Sequence, residues 1–67
     1  MSAPDELDRL CRQWNIDILG DWSAGYFYAR AYRYERGLFR MVGVMRARTP
    51  LSAARKLARR LEKEMKL

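Results

Sequence analysis

Apolar residues recur along this chain with two different periods. Leu7, Leu10, Cys11 and Trp14 fall at i, i+3, i+4 and i+7, one stripe of a helix. That helix is expected from about Ala3 to Trp14. Ser2 is positioned to cap it, Pro4 suits its first turn, and Asp5, Glu6 and Asp8 suit the positive end of its dipole. Asn15 is the expected exit. A second helical stripe, Leu51, Ala54, Leu57, Ala58, Leu61 and Met65, follows Thr49-Pro50, a good cap and first helical residue. Glu62 and Lys66 form an i,i+4 pair in the favourable order on that helix.

Between the helices the period drops to two. Tyr26–Tyr34 and Leu38–Arg48 alternate as strands, and Ile16–Leu19 is a shorter β-leaning run before the turn-forming segment 20–25. Glu35-Arg36-Gly37 suits a three-residue hairpin loop with Gly37 left-handed. Such a loop would set Tyr34 opposite Leu38, Tyr32 opposite Arg40, Arg30 opposite Val42, Tyr28 opposite Val44 and Tyr26 opposite Arg46. The faces then differ. Phe27, Ala29, Ala31, Phe39, Met41, Gly43, Met45 and Ala47 make a face of small and apolar side chains, suited to a helix layer. The four tyrosines share the other face with Arg30, Arg40, Arg46, Arg48, Leu38, Val42 and Val44.

The expected fold is therefore a small two-layer α+β domain spanning 1–67. Its order is helix, short strand, β-hairpin, helix, with both helices on one face of an antiparallel sheet. A chain of 67 residues supports one small core, so a dimer or a bound molecule is expected to contribute stability.

Charge sharpens the functional expectation. Residues 1–22 carry −3 and residues 23–67 carry +9, within a net charge of +6. A basic, arginine-dominated segment attracts polyanions. Tyr28 and Tyr32 are placed to stack on bases while Arg30, Arg40, Arg46 and Arg48 neutralise phosphate, supported by Arg55 from the last helix. Nucleic acid, DNA or RNA, is thus the first expected partner. The same residue types are enriched at protein hot spots. The rival expectation is accordingly a protein-interaction module, an inhibitor or adaptor of the kind mobile elements encode, docked on an acidic protein. A third is a homodimer through the tyrosine face.

Reaction chemistry is not expected. The chain has no histidine and one cysteine, which leaves no zinc set, no histidine-based triad and no metal or cofactor site to propose. Its glycines are too scattered for a phosphate loop. Without a signal-like or membrane-length apolar run, a cytoplasmic protein is expected.

The element order, and the Ala-rich basic helix opened by Thr49-Pro50-Leu51-Ser52-Ala53-Ala54-Arg55-Lys56-Leu57-Ala58, resembles double-stranded-RNA-binding domains. The likeness covers most of the chain. It implies the two-layer fold and not a function, since Leu51-Ser52-Ala53 stand where that family concentrates its binding in a lysine-rich helix start. The strand–strand–helix ending also resembles small antitoxin-like modules.

Overall fold

The computed structural model describes residues 3–65, with side chains from 5 to 64. The elements run α1 (Ala3–Trp14), β1 (Ile16–Asp21), β2 (Tyr26–Glu35), β3 (Leu38–Ala47) and α2 (Pro50–Met65). The strands form one antiparallel sheet in the order β1-β2-β3. Both helices lie on one face of it, as antiparallel α+β sheets commonly arrange them, and the first helix does not cross the tyrosine face. The Ser2 cap, the end of the α2 stripe at Met65 and the pairing of Lys66 fall outside the described side chains.

Local chemistry explains the boundaries. Asn15 leaves α1 with φ 52°, a left-handed exit that asparagine tolerates. Its carbonyl accepts a hydrogen bond from the Tyr32 amide at 3.1 Å, which ties the end of α1 to the central strand. At α2, Thr49 Oγ1 accepts from the Ser52 amide at 3.1 Å, the expected cap.

The core is built on small residues. Ala29, Ala31, Ala53 and Ala54 are fully buried, and among the described residues Leu57 is the one large side chain buried as completely. Ala53, Leu57 and Leu61 of α2 meet Ile16, Ala29, Ala31 and Ala47 of the sheet. Ala54 and Ala58 face α1 at Leu10, with Leu7, Trp14 and Leu51 alongside. Alanine on both surfaces lets the layers approach closely.

The hairpin departs from the expected register. Its loop has two residues, not three: Glu35 pairs with Leu38, and Arg36 and Gly37 both take positive φ, 52° and 81°. Two left-handed residues in sequence make the turn whose twist matches a hairpin. Such a turn alone would pair even residues of β2 with odd residues of β3 throughout, putting Val42 and Val44 under α2. A bulge corrects this midway. Ala31 pairs with Gly43 but Tyr32 with Met41, so Val42 is the inserted residue. Beyond the bulge Gly43, Met45 and Ala47 return to the helix side beside Ala31, Ala29 and Phe27.

Towards the tip, by contrast, the faces of β3 are exchanged. Phe39 and Met41, expected in the core, stand with Tyr34 and Tyr32 on the open face and are 70% and 53% exposed. Leu38 and Arg40, expected on the tyrosine face, turn to the helix side with Glu35 and Arg33. Val42 packs against the main core cluster instead of standing on the open face.

Candidate interaction surface

The sheet face away from the helices has three columns. β1 contributes Asp17, Leu19 and Asp21; β2 contributes Tyr26, Tyr28, Arg30, Tyr32 and Tyr34; β3 contributes Arg46, Val44, Met41 and Phe39. Neighbours across the strands follow the register. Asp17, Arg30 and Val44 form one row, and Leu19, Tyr28 and Arg46 the next.

Most polar groups on this face are already engaged with one another. Arg30 donates from Nε and Nη2 to the two carboxylate oxygens of Asp17, at 2.9 and 2.7 Å. That hydrogen bonding raises the arginine's already high pKa further. The Arg30 guanidinium also lies 5.6 Å from the centre of the Tyr32 ring, and that of Arg46 lies 5.1 Å from the Tyr26 ring. Asp21 accepts from the Ser23 hydroxyl at 2.7 Å and the Ala24 amide at 3.1 Å. Those bonds hold its carboxyl below the usual aspartate range, the hydroxyl contributing most. Asp21 is thus the anchor of the β1–β2 turn.

The remainder is apolar. Leu19, Tyr34, Phe39, Met41 and Val44 are all exposed, and the Tyr34 and Phe39 rings meet edge-on with centroids 5.1 Å apart. Two carboxylates, Asp17 and Asp21, balance two guanidiniums, Arg30 and Arg46. The open face is therefore neutral, although the protein carries +6.

The seven residues expected to form one nucleic-acid site divide among four places. Tyr28, Arg30, Tyr32 and Arg46 share the open face. Arg40 does not join them; the two-residue turn places it on the other face, directly across from Arg33. Arg48 is exposed in the link between β3 and α2. Arg55 belongs to the helical layer, where it donates to both carboxylate oxygens of Glu6 and ties α2 to α1. The hydrogen bonds from Arg55 keep the Glu6 carboxyl below its ordinary range.

Phe39 and Met41 are the residues of this surface that the simple alternation misses. The available signal was Gly43, since a glycine inside a strand marks a bulge or a close approach. Trp22, 85% exposed, lies off the open face: its ring meets Phe27 edge-on at 5.5 Å, on the helix side of the sheet.

Cation density instead collects on the helical side. Lys56, Arg59, Arg60 and Lys63 are exposed on α2, and Arg33 and Arg40 overhang from the hairpin on the same side. Among the described residues no helix is long and apolar enough to cross a membrane. No protein-family model matches the chain, and no curated protein and no solved structure matches it either.

Proposed function

We propose that this is a non-enzymatic, cytoplasmic protein-interaction module that docks through its open sheet face. The observation that carries the reading is the neutrality of that face combined with five exposed large apolar side chains, Leu19, Tyr34, Phe39, Met41 and Val44. Tyr34, Phe39, Met41 and Val44 run together along β2 and β3, and an exposed apolar patch beside polar groups is the mark of a protein-binding site. A phosphate-binding surface needs spare cations, yet Arg30 is engaged by Asp17 and Arg40 is turned away. Neutrality also changes the expected partner from an acidic protein surface to an apolar one. Burial raises the pKa of the Cys11 thiol, with the Asp8 and Asp17 charges adding to it. A thiol held protonated is unreactive, so Cys11 acts as a small packing residue beside the core and not as a nucleophile.

The test is a photo-crosslinking amino acid placed in turn at Tyr34 and at Lys56. Nuclease-resistant protein adducts from position 34, with none from position 56, are the expected outcome. Nucleic-acid adducts from position 34 contradict the reading.

A second reading, nucleic-acid binding, keeps one specific support. The two-residue turn sets Arg40 across from Arg33 on the side of the α2 cations, so a phosphate backbone would lie there, across α2 and the hairpin tip. Triple substitution Lys56→Glu, Arg59→Glu, Lys63→Glu should then abolish binding to an oligonucleotide, whereas Tyr28→Ala leaves it unchanged. Dependence on Tyr28 contradicts this placement.

A further inference from the structure

The sheet ends on an open edge. Among the described residues β3 has β2 on one side and no strand on the other. The register sets the direction of its backbone. The Tyr32 amide bonds to Asn15, on the β1 side, so even residues of β2 turn their backbone to β1 and odd residues turn theirs to β3. Phe27 and Ala29 therefore exchange hydrogen bonds with Ala47 and Met45. Val44 and Arg46 alternate with those two and point their N–H and C=O groups outward. Both residues are exposed, and the bulge at Val42 leaves 43–47 as a regular run. Outward N–H and C=O groups at strand spacing are the template for another strand.

The two flanks of this edge differ in chemistry. On the helix side, Arg60 Nη1 reaches to 3.9 Å from Met45 Sδ, so α2 holds a cation beside the edge. Lys56 lies one turn earlier on the same face of α2, and Lys63 nearly one turn later. On the open-face side the edge carries Val44, with Met41 and Phe39 beyond it. A strand laid along β3 sends alternate side chains to these two flanks.

We propose that the edge of β3 takes an extended segment of another protein in which acidic residues alternate with apolar ones. Acids two apart on a strand are separated by about 7 Å, and Lys56 and Arg60, four apart on a helix, by about 6 Å along its axis. Consecutive acids thus meet consecutive cations, while the apolar residues between them extend the Val44 column. Arg60 also holds Glu64 at 3.4 Å, but that pair is exposed on both sides and weak enough to exchange for a new carboxylate. Nucleic acid has phosphates for the cations but no groups that complete the ladder at Val44 and Arg46. The edge is a different surface from the open face, so the proposal does not depend on what docks there.

The test titrates the full chain with the capped peptide Glu-Val-Glu-Val-Glu-Val-Glu and reads amide hydrogen exchange by NMR. The peptide alternates identically in both directions, so strand polarity does not affect the result. At saturation the amides of Val44 and Arg46 are expected to exchange at least tenfold more slowly, while those of Met45 and Ala47, already paired with β2, change little. The isomer Glu-Glu-Glu-Glu-Val-Val-Val has the same charge without the alternation and should bind at least tenfold more weakly. Arg60→Glu should weaken the alternating peptide by a similar factor. Val44→Pro removes one outward amide without breaking the β2 ladder and should abolish the protection at Arg46. Circular dichroism confirms that each variant is folded, and the wild-type exchange pattern decides if Val44→Pro is not. No protection of Val44 and Arg46 at millimolar peptide, or equal binding of the two isomers, overturns the added strand. Affinity unchanged in Arg60→Glu overturns the acidic partner. None of these results bears on the open face, where crosslinks from position 34 decide.

Discussion

Gly43 lies so close beneath Leu57 that a methyl group on its α-carbon would stand 2.9 Å from Leu57 Cδ1. The contact joins the bulged strand to the most deeply buried large side chain of α2. It explains why a glycine occupies the centre of a strand, where it otherwise weakens pairing.

Gly43→Ala is therefore expected to destabilise the domain by about 1–3 kcal/mol, the range for overpacking a well-filled core. Leu57→Ala should cost more, about 2–5 kcal/mol, because the surrounding alanines are too short to fill the space. Urea denaturation checks both. A stabilising Gly43→Ala would mean that α2 does not rest on this strand as described.

The hairpin turn offers a change in the other direction. Arg36 has φ 52°, a left-handed conformation that costs a non-glycine residue about 1 kcal/mol or more. Asparagine tolerates it and is favoured before glycine in this turn. Arg36→Asn should raise stability by about 0.5–1 kcal/mol, read as a higher melting temperature. A loss of stability would argue for a longer loop.

The helices and the strand count were legible in the sequence; the hairpin register was not. The stripe from Leu7 to Trp14, and Thr49-Pro50 before Leu51, each carry a period together with a boundary signal, and both helices follow them. Met41-Val42-Gly43-Val44-Met45 carries no alternation, because every residue in it is apolar or glycine. Nothing in that run identifies Val42 as the inserted residue. Assuming simple alternation then sent Arg40 to the wrong face and hid Phe39 and Met41 in the core. The composition of the open face was legible for β2 and half of β3. Its neutrality depends on Asp17 and Asp21, whose alignment with Arg30 and Tyr26 requires the β1–β2 register.

Acid should loosen the contact between the helices. The Glu6 pKa is lowered in the folded protein by the hydrogen bonds from Arg55, so the folded state favours the carboxylate. Its contribution is complete above the ordinary glutamate range and is lost as pH falls through the lowered value. Asp21, lowered by Ser23 and Ala24, has the same sign. Thermal stability is expected to be flat from about pH 8 to 5 and to fall below about pH 4. Glu6→Gln should reduce that acid-side slope and leave the pH 8 to 5 plateau level. An unchanged slope would show that the Arg55 contact is not maintained in solution.

Charge on the open face should contribute little to folding. Arg30 and Asp17 form a well-aligned pair, but their side chains are 31% and 48% exposed. Exposed pairs of this kind are worth about 0–1 kcal/mol. Replacing both by threonine should change stability by no more than about 1 kcal/mol and leave the circular dichroism spectrum intact. A larger loss would make the pair structural and weaken its reading as part of a docking surface.

Two chemically different surfaces stand back to back, a neutral open sheet face with exposed apolar side chains and a cationic helical side. Amide NMR shift mapping during an oligonucleotide titration reads which of them a polyanion uses. At low salt, shifts are expected in α2 around Lys56–Lys63 and near Arg33 and Arg40, and they should vanish as salt rises. The rows of Leu19, Tyr28, Arg46 and Val44 should stay unmoved by the oligonucleotide. Oligonucleotide-dependent shifts centred on Tyr28 and Tyr32 that survive high salt would contradict the account and return the open face to nucleic acid.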